Sequence, residues 1–181
     1  TYAVLTAYDR AIADFTMALT IVPEFPDAYH QRGRAYYVQS DLDRAIADYT
    51  RALTLRPDMS ACLYDRAIAY LGQQEYALAE ADLTAAVDLV SDWGEAYYWR
   101  GSARFRQQEW QAALQDYDRA IALMPDHAPS YHARGLTCRR LGEAQRAIAD
   151  FERVLTLTSD PNLLAGAQGQ LDELKKQESG E

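Results

Sequence analysis

The sequence predicts an all-α solenoid of paired helices, and three observations carry that prediction. First, the stretch from Asp27 to Asp58 recurs at a fixed shift of 34 residues: Tyr29 returns as Leu63, Tyr97 and Tyr131, Gly33 as Ala67, Gly101 and Gly135, Ala45 as Ala79, Ala113 and Ala147, and Tyr49 as Leu83, Tyr117 and Phe151. Second, aromatic and small residues within each period fall three or four positions apart, the spacing of one helix face. Third, Pro23, Pro57 and Pro125 occupy the same place in the period, where a helix must stop. A repeat of this length buries its apolar face only by stacking on its neighbours.

Taken in order, the chain opens out of register. Thr1 to Leu5 match the end of a first helix, with Tyr2 equivalent to Tyr36 and Tyr70, and Thr6 to Ile21 match a second helix with Ala11, Phe15 and Ala18 at the packing positions. Residues 1–25 therefore read as a partial repeat whose opening helix is mostly missing, and further repeats or another domain are expected upstream. Four full units follow, 26–59, 60–93, 94–127 and 128–161. In the first, one helix is expected from about Ala28 to Gln39 and a second from Leu42 to Leu55. Gly33 and Ala45 are small so that the two helices approach closely, and Tyr49 fills the space beside them.

An acid follows each break, as Glu24, Asp58, Asp92, Asp126 and Asp160, and another precedes each second helix, as Asp41, Glu75, Glu109 and Glu143. Both sets are expected to cap helix N-termini. Residues 162–181 are expected to form a capping helix over Asn162 to Lys176, with Leu163, Leu164, Leu171 and Leu174 inward and Asp172, Glu173, Lys175, Lys176 and Glu178 facing water. Gly166 and Gly169 weaken it, and Gln177 to Glu181 are expected to fray.

A charge pattern runs through the same register. Arg32, Arg66, Arg100 and Arg134 share one position, and Asp14, Asp48, Asp82, Asp116 and Asp150 share another. Each Arg has two candidate partners, the Asp of its own repeat and the Asp 18 residues earlier. Because both signs recur together, a structural ion-pair ladder is favoured over an Arg ladder gripping phosphate.

Bulk properties exclude several function classes. Net charge is −9, which disfavours nucleic acid and other polyanions. Sixteen of the eighteen basic residues are Arg, and only Lys175 and Lys176 are Lys. No apolar run reaches the roughly 18 residues of a membrane span, so membrane insertion is not expected. Cys62 and Cys138 fall in different places in the repeat and are expected to be free, buried thiols, compatible with a cytoplasmic location. His30, His127 and His132 have no metal-ligand spacing with cysteine, and no nucleotide, hydrolase or metalloprotease motif is present. Neither an enzymatic activity nor a metal or other cofactor is expected.

The recurring residues — an aromatic, Gly or Ala four on, a Tyr, then Ala, an aromatic, Ala and Pro — resemble the tetratricopeptide repeat over Pro26 to Pro161. Departures are modest: Leu63 and Leu83 stand for aromatics, Ser91 and Ser159 for the terminal Pro, and Arg104 and Cys138 for a Tyr. The resemblance implies a right-handed α-α superhelix that acts as a protein-protein interaction scaffold, binding a peptide or helix in a concave groove built from the first helices. At the groove positions of the family, Tyr37, Tyr64, Ile68, Leu71, Tyr98, Trp99 and Phe105 are the expected apolar anchors. Arg34, Arg106, Arg139 and Arg140 are expected to steer acidic residues of the protein or peptide ligand. Some relatives clamp the carboxylate of chaperone tails with Lys, Asn and Arg. Neither frame here supplies those residues: the first reads His30, Arg34, Asp65, Glu95 and Trp99, whose acids repel a carboxylate, and the one a unit later reads Tyr64, Ile68, Trp99, Pro129 and Ala133. Two alternatives stand beside the scaffold reading: a regulatory or spacer segment of a larger, enzymatic chain, and self-association through the truncated N-terminal face.

Overall fold

In a computed structural model, the described residues (2–179, with side-chain surroundings for 7–177) form ten helices and no other regular element. They are α1 (Tyr2–Ile21), α2 (Pro26–Val38), α3 (Leu42–Leu55), α4 (Ser60–Gly72), α5 (Tyr76–Leu89), α6 (Gly94–Arg106), α7 (Trp110–Leu123), α8 (Ala128–Leu141), α9 (Ala144–Leu157) and α10 (Pro161–Ser179). The fold is all-α, and the chain divides into two units, Thr1–Ser91 and Asp92–Glu181. In the first unit α2 pairs with α3 and α4 with α5, while α1 packs on α2 and α3 on α4. In the second, α6 pairs with α7 and α8 with α9, α7 packs on α8, and α10 lies against α9 and the edge of α8.

Each pair closes on the glycine and aromatic positions of the register. A Cβ on Gly33 would lie 2.7 Å from Tyr49 Cε1 and 3.2 Å from the Ala45 carbonyl. One on Gly101 would lie 2.9 Å from Tyr117, and one on Gly135 2.9 Å from Phe151. The second full repeat solves the same problem differently: Ala67 carries the Cβ and Leu83 replaces the ring, both fully buried. Volume is thus traded across the contact.

Both helices of a repeat are joined by one recurring turn. Ser40, Gln74, Gln108 and Gly142 occupy equivalent positions with φ of 62°, 64°, 65° and 79°. The next residue closes each Schellman motif, as Asp41 N–H donates to the Tyr36 carbonyl, Glu75 to Tyr70, Glu109 to Arg104 and Glu143 to Cys138. Capping by acids is narrower than expected. Asp41 accepts the Arg44 amide, and Asp160 accepts the Asn162 and Leu163 amides. Glu75, Glu109 and Glu143 make no cap bond, since their longer side chains do not return to the backbone. Glu24, Asp58, Asp92 and Asp126 sit one residue too early, and the cap positions belong to Phe25, Met59, Trp93 and His127.

The arginine ladder pairs within its own repeat. Arg32 forks onto Asp48 at 2.7 and 2.8 Å, Arg66 onto Asp82 at 2.7 and 2.7 Å, and Arg134 onto Asp150 at 2.9 and 2.6 Å. Arg100 does the same with Asp116, which also receives Arg104 at 2.9 Å, so the Tyr-to-Arg departure at 104 adds a second cation. The remaining guanidinium nitrogen reaches back to the preceding second helix, from Arg32 to Thr16, from Arg66 to Thr50 and from Arg134 to Asp118. One arginine therefore ties three helices together. The Asp48 and Asp82 side chains are 9% exposed and those of Asp116 and Asp150 3% and 4%.

Two expectations at the chain ends are corrected. α1 runs unbroken from Tyr2 to Ile21 where the register places the end of one helix and a turn. Leu5, Thr6 and Ala7 stand at the positions of Gln39, Ser40 and Asp41 and offer no capping carboxylate. The expected role of the Tyr2 side chain falls outside the described surroundings. At the other end α10 spans Pro161–Ser179, longer than the expected Asn162 to Lys176, while Gly180 and Glu181 lie outside the described residues. Ala167, Leu171 and Leu174 are buried against Ile148, Phe151 and Val154, and Lys175 reaches Glu152 at 3.1 Å. Cys62 and Cys138 are free and buried, with burial pushing their thiols up to about 12 and about 11. No helix among the described residues is long and apolar enough to cross a membrane.

Candidate functional site

The first helices α6 and α8, with the start of α10, build a cavity of about 290 Å³ in the second unit. Its apolar wall comes from Tyr98, Phe105, Pro129, Ala133, Leu136 and Leu163, with Ser102 and His132 as polar points and Arg106 at the rim. A second cavity of about 360 Å³ continues from Phe105 and Leu136 to Arg139, Arg140 and Gln170. Phe105 and Leu136 line both.

The register explains why these side chains converge. Positions on the first helix that face neither its partner nor the preceding repeat must point to the open side. Tyr98 packs edge-on against Trp99 and His127 and tilts over buried Tyr117, and burial raises its hydroxyl pKa. Phe105 is held edge-on by Trp110 at 4.9 Å. His132 rests on Phe151, and burial lowers its pKa. Arg140 lies over Trp110, and Arg139 donates to Gln170 and pairs with Glu173 at 2.8 Å. Arg106 and Arg140 have no carboxylate partner among the described residues.

Of the expected anchors, Tyr98, Phe105, Arg106, Arg139 and Arg140 come together here. Trp99 lines neither cavity. It is half-buried and braces Tyr98. Arg34, Tyr37, Tyr64, Ile68 and Leu71 lie in the first unit on α2 and α4. There Arg34 approaches Asp65 at 3.6 Å, and His30 Nε2 lies 2.7 Å from the same oxygen. Tyr37 is exposed, and Tyr64, Ile68 and Leu71 are half-buried. The contributions of Leu163, Gln170 and Trp110 were not legible in the repeat. The first two belong to α10, which lies beyond the period, and Trp110 occurs once, with Leu42, Tyr76 and Ala144 as its equivalents.

Family models described as tetratricopeptide repeat match residues 26–59 and 92–160. No curated protein sequence matches the chain. Among solved structures, the chain is similar to YrrB, described as a TPR protein with an unusual peptide-binding site, at 20% identity and a TM-score of 0.83, covering 92% of this chain and 86% of that one. It is similar to MamA 41-end from Desulfovibrio magneticus RS-1 at 23% identity and a TM-score of 0.79, covering 83% and 85%. It is also similar to the first TPR of Spaghetti (RPAP3) bound to the HSP90 peptide SRMEEVD, at 30% identity and a TM-score of 0.63, covering 65% and 93%.

Proposed function

The chain belongs to the tetratricopeptide-repeat family, and on that premise we propose that it is a non-catalytic scaffold that holds a peptide or helix of a protein partner on the α6–α8–α10 face. One observation carries the reading. On a chain of net charge −9, two cavities that share Phe105 and Leu136, the first also walled by Tyr98 and Leu163, are edged by Arg106 and Arg140, which have no carboxylate partner among the described residues. An apolar wall with a basic rim suits a segment bearing a bulky apolar residue beside Asp or Glu. The peptide bound by the RPAP3 repeat combines the same residue types, with Met and Val among Glu and Asp. The mode here is distinct from a carboxylate clamp, since Asp65 stands in that frame with His30 and Arg34 turned onto it.

Selection from a random displayed peptide library tests the reading. Peptides with an apolar anchor next to acids should be enriched. Arg106→Glu/Arg140→Glu should weaken them by at least about tenfold, or about 1.4 kcal/mol, and more salt should weaken the parent complex. Leu136→Asp should abolish binding while the helical spectrum is kept. Enrichment indifferent to both variants would move the site elsewhere.

A further inference from the structure

Two histidines occupy one register position three repeats apart, His30 on α2 and His132 on α8. The second helix of each repeat holds the two rings in the same posture. His30 stands edge-on to Tyr49 at 5.8 Å and 62°, and His132 to Phe151 at 5.7 Å and 63°. What their Nε2 atoms meet is different. His30 Nε2 lies 2.7 Å from Asp65 Oδ2, an oxygen that Arg34 also approaches at 3.6 Å. For His132 the register position of Asp65 falls on Ala167 of α10, which has no carboxylate to offer. Beside it is Gly166, where a Cβ would lie 3.3 Å from His132 Nε2. α10 therefore takes the acid away and, at Gly166, puts no side chain in its place.

His132 has no hydrogen-bond or ion-pair partner among the described residues, and it lines the cavity of about 290 Å³ built by α6, α8 and α10. The other titratable groups on that cavity are Tyr98 and Arg106 from α6 and Tyr117 from α7. α9 presents Phe151 to the imidazole, and α10 presents Leu163 and Gly166, none of which titrates. Among the described residues no Asp or Glu lines this cavity or the adjoining one of Arg139 and Arg140. Without an acid beside it, burial holds the imidazole below its ordinary 6.5. A carboxylate within hydrogen-bond reach reverses that balance, because an opposite charge favours the imidazolium.

We propose that His132 is a specificity-determining residue of this site, and that its Nε2 binds the side-chain carboxylate of an Asp or Glu in the partner segment, which takes the place that Asp65 fills for His30. Complex formation then carries a proton onto His132 and tightens as the pH falls from neutrality. The assignment rests on the α6–α8–α10 face being the peptide site. It adds a polar contact in the cavity wall and a pH dependence that Arg106 and Arg140, charged throughout, do not supply.

The test pans a random displayed peptide library on the full chain at about pH 5.5, where Asp and Glu stay ionised. The strongest peptide is synthesised with both ends capped, so that only side-chain carboxylates remain, and again with every Asp and Glu changed to Asn and Gln. NMR follows the His132 imidazole through a pH titration with and without each peptide. The acidic peptide should raise the His132 pKa by at least about one. It should also bind at least about fivefold more tightly at about pH 5.5 than at about pH 8. The amide peptide should do neither. His132→Gln keeps a donor but cannot protonate, so it should flatten the pH dependence. His127→Gln should leave it in place, since His127 touches Tyr98 but lines neither cavity. The imidazole titration of the parent protein decides the matter even where a variant does not fold. Acidic peptides that leave His132 unmoved, or a pH dependence that survives His132→Gln, overturn this assignment while the groove reading stands. Enrichment of no peptide, or only of peptides without acids, overturns both.

Discussion

At Asp116 two guanidiniums, Arg100 and Arg104, converge on one carboxylate whose side chain is 3% exposed. Removing it takes a shared, buried carboxylate away from both cations. Asp116→Ala is therefore expected to cost about 5 kcal/mol, against about 3 kcal/mol for Asp82→Ala, which strands Arg66 alone. Chemical denaturation reads the difference, and equal losses would mean that Arg104 contributes nothing. The glycine–aromatic contacts make a second residue-scale prediction. Gly33→Ala drives a methyl into the Tyr49 ring and is expected to destabilise by about 1–2 kcal/mol, overpacking being partly offset by helix propensity. The double variant Gly33→Ala/Tyr49→Leu recreates the Ala67/Leu83 pair and should lose less than its two single changes summed, by at least about 1 kcal/mol in a double-mutant cycle.

Among the elements, the interhelix turn and α10 are the two that decide most. Ser40, Gln74 and Gln108 hold a left-handed backbone that favours glycine, which only Gly142 supplies. Gln74→Gly should therefore stabilise by up to about 1 kcal/mol, despite glycine's entropic cost, because the strain it relieves is of about 1–2 kcal/mol. A lower melting temperature for Gln74→Gly would contradict this. α10 takes the place that a further first helix would fill on α9, and its Leu171 lies among Ile148, Phe151 and Val154. Leu171→Ala is expected to cost about 2–5 kcal/mol, with loss of amide protection first in α9 and α10 by hydrogen exchange.

Over the whole molecule, titration bounds the range of stability. Burial lowers the pKa of His127 and His132 below 6.5, so the unfolded chain binds those protons more readily, and their contribution is present above pH 6.5 and lost as pH falls. Burial raises Cys62 from 9.0 to about 12 and Cys138 to about 11, and raises Tyr49 and Tyr117 as well. Those contributions are present below pH 9.0 and lost as pH rises toward 12. The denaturation midpoint should accordingly be flat from neutrality to pH 9.0 and fall on either side. His132→Tyr, the residue found at positions 64 and 98, should make the acid limb shallower. An unchanged limb would leave His132 without a share in it.

Helix order and type, the Gly–aromatic contacts, the paired charges and the free thiols were legible in the chain alone, because a 34-residue period samples the same local physics four times. Five of the expected groove residues lie together on one face of the second unit for the same reason, since side-chain direction on a helix follows spacing. Three-dimensional packing alone decided the rest. It chose the Arg32–Asp48 pairing over the equally periodic Arg32–Asp14, since both candidates satisfy charge and only the crossing of α2 with α3 sets which oxygen is near. It withdrew Trp99 from the cavity and brought in Leu163 and Gln170, which no period connects to α6 and α8.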